Sequence, residues 1–176
     1  MRNVILIGFM GTGKSSTGKM LAQRLGCAFI DMDAKIEEEA GMTIPEIFAK
    51  FGEEHFRRQE HELALRLSKR RNAVISTGGG TVKNPANVEA LKKSGVMICL
   101  KADVDTVLER TQSRGTRPVL DKEDKGDRRQ AVEKLLAQRE EFYKQADFFV
   151  DTSELSPLQV VEIIVRTLKT RGVLHA

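Results

Sequence analysis

The residues near the N-terminus carry the strongest chemical signal in this sequence. Residues 8–15 read GFMGTGKS, which matches the phosphate-binding pattern G-x-x-x-x-G-K-[ST] at every fixed position. A short apolar run at residues 4–7 precedes the pattern, and residues 16–25 follow it with apolar side chains at helical spacing. Glycine amides curled around an anion, with the positive end of a helix behind them, bind phosphate groups. The stretch therefore predicts a strand, a phosphate-binding loop and a helix, in that order.

The residue types in this loop indicate which groups would contact a nucleotide. Lys14 is placed to reach the β- and γ-phosphates, which makes it a catalytic candidate. The Ser15 hydroxyl is placed to ligate Mg²⁺. The expected nucleotide-binding residues of the loop are Gly11, Thr12, Gly13, Lys14, Ser15 and Ser16.

Two carboxylates follow the second predicted strand, at residues 27–30. Asp31 and Asp33 are two residues apart, and in an extended backbone their side chains point the same way. One of them could hold Mg²⁺ through water while the other takes a substrate hydroxyl. The alternative is structural, because an Asp just before a helix is a favoured N-cap and Asp33 has that position. The third predicted strand ends in Ser76 and Thr77 without a carboxylate, which makes Asp31 the better candidate on the metal side.

Several residues could bind the anionic groups of a substrate. Residues 78–80 are three glycines whose amides suit a carboxylate or an oxyanion, with a flexible turn as the alternative. Arg57 and Arg139 could each pair with a carboxylate in bidentate fashion, although for Arg57 a surface ion pair with a neighbouring glutamate is the alternative. Arg110 and Arg117 flank or lie in a long loop, where a cation can stabilise transition-state charge after closure. An exposed loop arginine without a role is the alternative there.

Short apolar runs alternate with helical patterns along the chain, which predicts an α/β domain with a parallel sheet and helices on both faces. Ligands then gather at the carboxyl ends of the strands, where the candidate residues lie. The longest predicted helix covers residues 53–71, and residues 112–127 form a long polar loop of the kind that often serves as a lid. The five predicted strands are residues 4–7, 27–30, 73–76, 96–100 and 148–150.

The composition argues against several classes of protein. The chain has 176 residues and a formal net charge of +4, which fits an anionic substrate. No run of Lys and Arg exceeds three residues and aromatic residues are few, so a nucleic-acid partner is not expected. No apolar run is long enough to cross a membrane, and the N-terminus does not resemble a signal peptide. We therefore expect a cytoplasmic enzyme without a membrane partner.

Taken together, these motifs resemble those of the shikimate kinases over nearly the whole chain. The phosphate-binding loop alone is shared by many nucleotide-binding proteins, but the ordered set is specific to that family. The resemblance implies ATP-dependent phosphorylation of the 3-hydroxyl of shikimate, with Mg²⁺ and closure of a lid, in the biosynthesis of aromatic amino acids. The matching segments are residues 8–15, 31–33, 56–58, 78–80, 117–120 and 138–139 before Tyr143.

The resemblance also implies a role for each candidate residue. Asp33 would hold the ring hydroxyls of shikimate and orient or deprotonate the one that attacks, and Asp31 would reach Mg²⁺ through water. Arg117 would be a lid arginine that acts on the phosphates during catalysis, and Arg110 would pack against adenine. The residues implied to bind shikimate are Asp33, Arg57, Gly79 and Arg139, with the two arginines on its carboxylate.

For the fold, the resemblance implies a three-layer domain like that of the nucleoside-monophosphate kinases, with strand order 2-3-1-4-5. We expect a single kinase domain over residues 1–176. Within it, a substrate-binding helical region is expected at about 33–60 and a lid at about 112–127. We also expect the protein to be a monomer.

Two alternatives stay open at this point. A sister small-molecule kinase for gluconate or a nucleoside monophosphate shares the strand, loop and lid, but a nucleotide acceptor needs base-reading groups where this chain offers only Phe48, Arg57 and a glycine turn. A nucleotide-dependent switch or a nucleic-acid-binding module belongs to another class of protein. Against it, the chain has no N-K-x-D guanine-binding motif and no basic stripe interleaved with aromatic residues.

Overall fold

Five strands form one parallel sheet in the order β2-β3-β1-β4-β5. The computed structural model describes residues 1–111 and 128–174. The strands are β1 Asn3–Gly8, β2 Ala28–Asp31, β3 Ala73–Ser76, β4 Gly95–Lys101 and β5 Phe148–Asp151. This is the order that the resemblance implies. It makes β1, which leads into the phosphate-binding loop, the central strand.

Helices cover both faces of the sheet and complete three layers. Val4 and Leu6 of β1 belong to one apolar core cluster, and Ile5 and Ile7 of the same strand belong to the other. Strands buried on both faces read as continuous apolar runs, as these do. In the described residues the helices are α1 Lys14–Leu25, α2 Met32–Ala40, α3 Ile44–Phe51, α4 Glu53–Leu67, α5 Pro85–Ser94, α6 Val104–Thr111, α7 Arg128–Tyr143 and α8 Pro157–Thr170, with a 3-10 turn at Thr81–Lys83.

Side-chain caps fix where three of these helices begin. Thr43 and Glu46 form a reciprocal capping box at the start of α3, and Ser156 and Gln159 form another at the start of α8. Asn84 caps α5 through its side chain. Each cap satisfies backbone amides that the helix itself leaves without partners, and contributes about 1 kcal/mol. The sequence predicts the first residues of these helices for this reason.

The longest predicted helix is shorter than expected. Helix α4 ends at Leu67 and not at residue 71. Residues 68–72 instead turn back towards the sheet, where the amide of Asn72 donates to the carbonyl of Met1 at 2.9 Å. A helix continued to residue 71 would leave no chain with which to reach β3 beside β1.

Helix α2 begins two residues earlier than the sequence suggests. Asp31 is its N-cap, and Oδ1 of Asp31 accepts a hydrogen bond from the amide of Ala34 at 3.2 Å. Asp33 therefore lies in the first turn of α2. The structural alternative, in which Asp33 is the N-cap, is therefore wrong. The expectation that both carboxylates project from one extended segment is wrong as well.

The predicted lid at residues 112–127, with Arg117 inside it, lies outside the described residues. Its role stays a prediction from the resemblance. Among the helices that the structure describes, none is both long enough and apolar enough to cross a membrane.

Candidate active site

The loop between β1 and α1 has the backbone shape of a phosphate-binding site. Gly11 and Gly13 have φ angles of 78° and 86°, a region that L side chains rarely adopt, so the chain can curl here. Gly13 is the N-cap of α1 and has no side chain to cap it, so the first amides of the helix must find partners outside it. An anion at this position would satisfy those amides at the positive end of the helix dipole.

The side chains of the loop have different relations to it. Thr12 is buried and its hydroxyl donates to the carbonyl of Phe9 at 2.7 Å, so only the backbone of Thr12 can contact a nucleotide. The ammonium of Lys14 donates to the carbonyls of Gly8 at 2.6 Å and Phe9 at 3.1 Å. Lys14 thus lies across the loop, and its contact with phosphate stays a prediction. Ser16 is exposed in the first turn of α1.

Ser15 and Asp31, the two predicted Mg²⁺ residues, are in direct contact. The hydroxyl of Ser15 donates to Oδ2 of Asp31 at 2.7 Å, which joins the start of α1 to the end of β2. Hydroxyl and carboxylate oxygens are ligands that Mg²⁺ accepts, and it usually takes its other ligands from phosphates and water. No group of three His, Cys, Asp or Glu in the described parts of the chain could hold a metal ion. The donor set therefore fits Mg²⁺ that arrives with a nucleotide.

The glycines that follow β3 let other functional side chains approach the backbone. A Cβ on Gly78 would lie 2.6 Å from Oδ1 of Asp33. A Cβ on Gly80 would lie 2.8 Å from both terminal nitrogens of Arg57. Real Cβ contacts essentially never fall below 3.0 Å, so neither side chain could keep this position beside a larger residue. Because residues 78–80 have no side chains, Asp33 and Arg57 can lie directly against the backbone that follows β3.

Arg139 approaches the same segment from α7. Its Nη1 would lie 3.0 Å from a Cβ on Gly79, and its guanidinium lies 5.6 Å from the centre of the Phe9 ring. The side chain is only 6% exposed, yet Nη1 has no hydrogen-bond partner among the described residues. A buried guanidinium nitrogen without a hydrogen-bond partner is costly, so Nη1 is suited to an anionic ligand.

Tyr143 anchors α7 on the glycine segment. It follows Arg139 by one turn, and its hydroxyl donates to the carbonyl of Gly79 at 3.3 Å. Burial raises the pKa of Tyr143 to about 12, against the opposing effect of the Arg139 charge. The phenol is therefore neutral near pH 7 and acts as a hydrogen-bond donor.

Arg57 is held by two glutamates of its own helix. Nη1 donates to Glu60 at 3.0 Å and Nη2 donates to Glu53 at 3.3 Å. Burial acts to lower the pKa of Arg57, but the two carboxylates outweigh it and raise the pKa above its ordinary value. The ion pair with a neighbouring glutamate, the structural alternative for Arg57, is thus present together with its place against Gly80.

Glu60 is a residue of this site that sequence reasoning missed. Its side chain is 2% exposed, Oε1 accepts from Arg57, and Oε2 accepts from the hydroxyl of Thr81 at 2.9 Å. A signal was present, because Glu60 lies on the same helix face as the apolar residues Phe56 and Leu63. A carboxylate on an apolar helix face predicts a buried partner.

Arg110 lies against the back of the phosphate-binding loop. Its Nη1 donates to the carbonyl of Gly11 at 3.1 Å and to the hydroxyl of Thr152 at 3.0 Å, and its Nη2 donates to the carbonyl of Thr152 at 2.8 Å. These hydrogen bonds make Arg110 a support for the loop. Its contact with adenine stays a prediction.

Known proteins match this chain over almost all of its length. The sequence profile of the shikimate kinases matches residues 10–169. The chain belongs to the shikimate kinase family. It is 46% identical over 169 residues to a shikimate kinase of Pelotomaculum thermopropionicum, covering 96% of each chain, and 44% identical over 166 residues to one of Thermodesulfovibrio yellowstonii, covering 94% of each. A shikimate kinase from Acinetobacter baumannii, solved in complex with shikimate, superimposes with a TM-score of 0.92 at 32% identity, covering 99% of this chain and 96% of that one.

As a shikimate kinase by family, the protein is an ATP-using small-molecule kinase, which confirms the predicted family, enzyme class and fold. The structure brings two groups of candidate residues together. Lys14, Ser15 and Asp31 lie at the phosphate-binding loop, while the predicted shikimate-binding residues meet at residues 78–80. The individual roles of these residues stay predictions.

Proposed function

We propose that this protein transfers the γ-phosphoryl group of ATP to the 3-hydroxyl of shikimate, giving shikimate 3-phosphate and ADP. The observation that carries the proposal is the meeting of Asp33, Arg57 and Arg139 at residues 78–80. This cluster follows β3, the strand beside the one that leads into the phosphate-binding loop. An acceptor with one carboxylate and several hydroxyls suits two guanidinium groups and a carboxylate. Family membership and the shikimate complex of the Acinetobacter relative support this choice of acceptor.

The two arginines would bind the carboxylate of the acceptor. Nη1 of Arg139 has no hydrogen-bond partner among the described residues and lies against Gly79, whose amide would be a further donor to the anion. Arg57 is positively charged near pH 7, and Glu53 and Glu60 raise its pKa further. Charge-assisted hydrogen bonds to a carboxylate are about twice as strong as neutral ones, so this end of the acceptor would be firmly placed.

Asp33 would act on the hydroxyl that attacks. Its Oδ1 lies against Gly78, which places the carboxylate beside the segment that follows β3. By accepting a hydrogen bond from the hydroxyl, Asp33 would orient it towards the γ-phosphorus and take or share its proton. Phosphoryl transfer needs no protein nucleophile, because positioning and charge stabilisation provide most of the rate.

The loop and its neighbours would bind the nucleotide. Lys14 and the amides of residues 11–16 would contact the phosphates, and Ser15 with Asp31, the latter through water, would hold Mg²⁺. When bound, Mg²⁺ neutralises charge on the β- and γ-phosphate oxygens. Arg110 would pack against adenine, and Arg117, outside the described residues, would act on the phosphates when the lid closes.

The remaining proposals concern the organisation of the protein. One kinase domain spans residues 1–176, with substrate binding in the helical region at about 33–60 and a lid at about 112–127. Helices α2 and α3 and the start of α4 form the first of these regions. We propose that the protein works as a monomer in the cytoplasm, without a nucleic-acid or membrane partner.

An assay of ADP release tests the reaction. Purified protein with ATP and Mg²⁺ is given shikimate, gluconate or AMP in turn, and the phosphorylated product is located by NMR. We expect turnover with shikimate, modification of its 3-hydroxyl, and dependence on Mg²⁺. No turnover with shikimate would refute the proposal, and turnover with gluconate or AMP instead would assign the chain to a sister kinase activity.

A further inference from the structure

Thr152, directly after β5, connects three parts of the nucleotide side of the molecule. Its side chain is 2% exposed. The hydroxyl oxygen lies 3.2 Å from the carbonyl of Thr12 in the phosphate-binding loop, 2.9 Å from the carbonyl of Lys101 at the end of β4, and 3.0 Å from Nη1 of Arg110. A loop residue that the sequence did not single out is thus in contact with the predicted nucleotide site.

The backbone around Thr152 gives this hydroxyl a fixed position. The amide of Thr152 donates to the carbonyl of Lys101 at 2.7 Å, which extends the pairing of β4 with β5 by one residue. The carbonyl of Thr152 accepts from Nη2 of Arg110 at 2.8 Å. The strand ladder therefore needs only the backbone of Thr152, and the contact with Thr12 is additional to it.

Two consecutive carbonyls of the phosphate-binding loop are held from behind. Nη1 of Arg110 donates to the carbonyl of Gly11 at 3.1 Å, and the hydroxyl of Thr152 lies within hydrogen-bond distance of the carbonyl of Thr12. In a planar trans peptide the N–H group points away from the carbonyl. Holding these two carbonyls therefore turns the amides of Thr12 and Gly13 to the opposite side, where a phosphate would bind.

We propose that Thr152 is a positioning residue for the nucleotide, whose hydroxyl orients the peptide between Thr12 and Gly13. The hydroxyl also accepts from Arg110, so its single hydrogen is shared between the carbonyls of Lys101 at 2.9 Å and Thr12 at 3.2 Å. Without the hydroxyl, the carbonyl of Thr12 loses this partner and its peptide can rotate. The inference rests on the proposed function only in requiring that the loop binds ATP and ADP.

The test compares two substitutions at one position. Thr152→Val keeps the shape of the side chain and removes the hydroxyl, whereas Thr152→Ser keeps the hydroxyl and is the matched control. The readouts are the Kd of Mg-ADP by calorimetry, the KM for ATP, the KM for shikimate and the midpoint of thermal unfolding. We expect Thr152→Val to raise the Kd of Mg-ADP and the KM for ATP about five- to tenfold, the range for one hydrogen bond.

The two substitutions should leave the binding of shikimate unaffected. Thr152→Ser should bind Mg-ADP within about twofold of the unmodified protein. The KM for shikimate should stay within about twofold in both variants, because the hydroxyl of Thr152 lies against Thr12, Lys101 and Arg110, on the nucleotide side. A Kd for Mg-ADP that is unchanged in Thr152→Val would overturn the proposal. So would equal weakening by Ser and Val, or equal weakening of both substrates.

Two further outcomes are distinguishable. If the unmodified protein itself does not bind Mg-ADP, the proposed function fails, whatever the variants do. If Thr152→Val does not fold, Thr152→Ala replaces it and is judged by the same readouts. Failure of both to fold would show that the hydroxyl serves the whole fold, which overturns a specific role at the loop.

Discussion

The predicted nucleotide site and the predicted acceptor site, here called the two sides of the cleft, are built from different parts of the chain. The nucleotide side is mostly backbone from one continuous segment, residues 8–15, whose carbonyls are held by Arg110 and Thr152. The acceptor side is made of side chains from separate helices, with Asp33 on α2, Arg57 on α4 and Arg139 on α7. A backbone site depends on local conformation, whereas a side-chain site depends on the packing of distant segments. Substitutions should therefore affect the two sides in separable ways.

The largest effect should come from Lys14→Met on the nucleotide side. Lys14 is the side chain in the loop that can place a charge on the transferring phosphoryl group, so its loss should lower kcat by about 10²- to 10³-fold. Calorimetry should show shikimate binding unchanged, because the carboxylate of shikimate is proposed to bind at Arg57 and Arg139, beside residues 78–80. Lys19→Met, at an exposed position of the same helix, is the control and should keep full activity. Loss of shikimate binding in Lys14→Met would show that the two sides are not separable.

Arg139→Met should give the largest effect on the acceptor side. The substitution keeps much of the buried volume and removes the charge that would meet the carboxylate. We expect the KM for shikimate to rise about ten- to a hundredfold, the range for a hydrogen bond to a charged group, with the KM for ATP changed far less.

Arg57→Met is the matched comparison for Arg139→Met. Arg57 already has two carboxylate partners, Glu53 and Glu60, so part of its hydrogen-bonding capacity is in use and its loss should raise the KM for shikimate less. A KM for shikimate that is unchanged in both variants would mean that the carboxylate is bound elsewhere.

Substitutions of the glycines at 78–80 should separate the orientation of the reacting hydroxyl by Asp33 from the binding of shikimate. A Cβ at residue 78 meets Oδ1 of Asp33 at 2.6 Å, and the short Asp33 side chain can yield only by leaving its position. Gly78→Ala should therefore lower kcat by about tenfold, since a small misplacement of a reacting group is costly.

Gly80→Ala is the comparison for Gly78→Ala. A Cβ at residue 80 meets the far end of Arg57, which is flexible and can move aside, so the main change should be a modest rise in the KM for shikimate. Steady-state kinetics of both variants decide this. Equal losses of kcat in the two would indicate that the whole segment distorts.

Much of the fold follows from local patterns in the sequence. The residues predicted for β3 are those observed, because the run 73–76 is bounded by a turn and a glycine segment. The strand order came from the family resemblance and not from periodicity, since apolar runs alone do not specify neighbours. The end of α4 was predicted too late because residues 68–71 contain no glycine or proline to mark the end of a helix, whereas the need to reach β3 ends it at Leu67.

The residues of the candidate site also differ in whether local sequence patterns could predict them. The phosphate-binding loop could be predicted residue by residue because its function is encoded in one contiguous motif. Glu60 and Thr152 were missed because their contacts join segments far apart in sequence, Glu60 to Thr81 and Thr152 to Thr12. Asp33 was assigned to an extended segment because nothing local shows that α2 starts directly after β2.

The smallest predicted effect concerns an ion pair between the two helices that carry Arg57 and Asp33. Arg66 of α4 donates through both terminal nitrogens to Glu39 of α2, at 2.8 and 2.7 Å, so the pair ties together the helices that carry Arg57 and Asp33. This hydrogen bonding lowers the pKa of Glu39 below its ordinary value. The stabilisation is therefore complete above the ordinary pKa of glutamate, about 4.3, and is lost as the pH falls through the lower pKa of the folded state.

Glu39→Gln tests this pair through urea unfolding at pH 7 and pH 3. Both side chains are more than a third exposed, so solvent screening limits the contribution to about 0.5 kcal/mol at pH 7, and the difference from the unmodified protein should be smaller at pH 3. Glu38→Gln, whose carboxylate lies 4.0 Å from Lys35, is the control and should change less. Because the pair ties α2 to α4, Glu39→Gln should raise the KM for shikimate slightly and leave the KM for ATP unchanged. A change in the KM for ATP alone would contradict the division between the nucleotide side and the acceptor side.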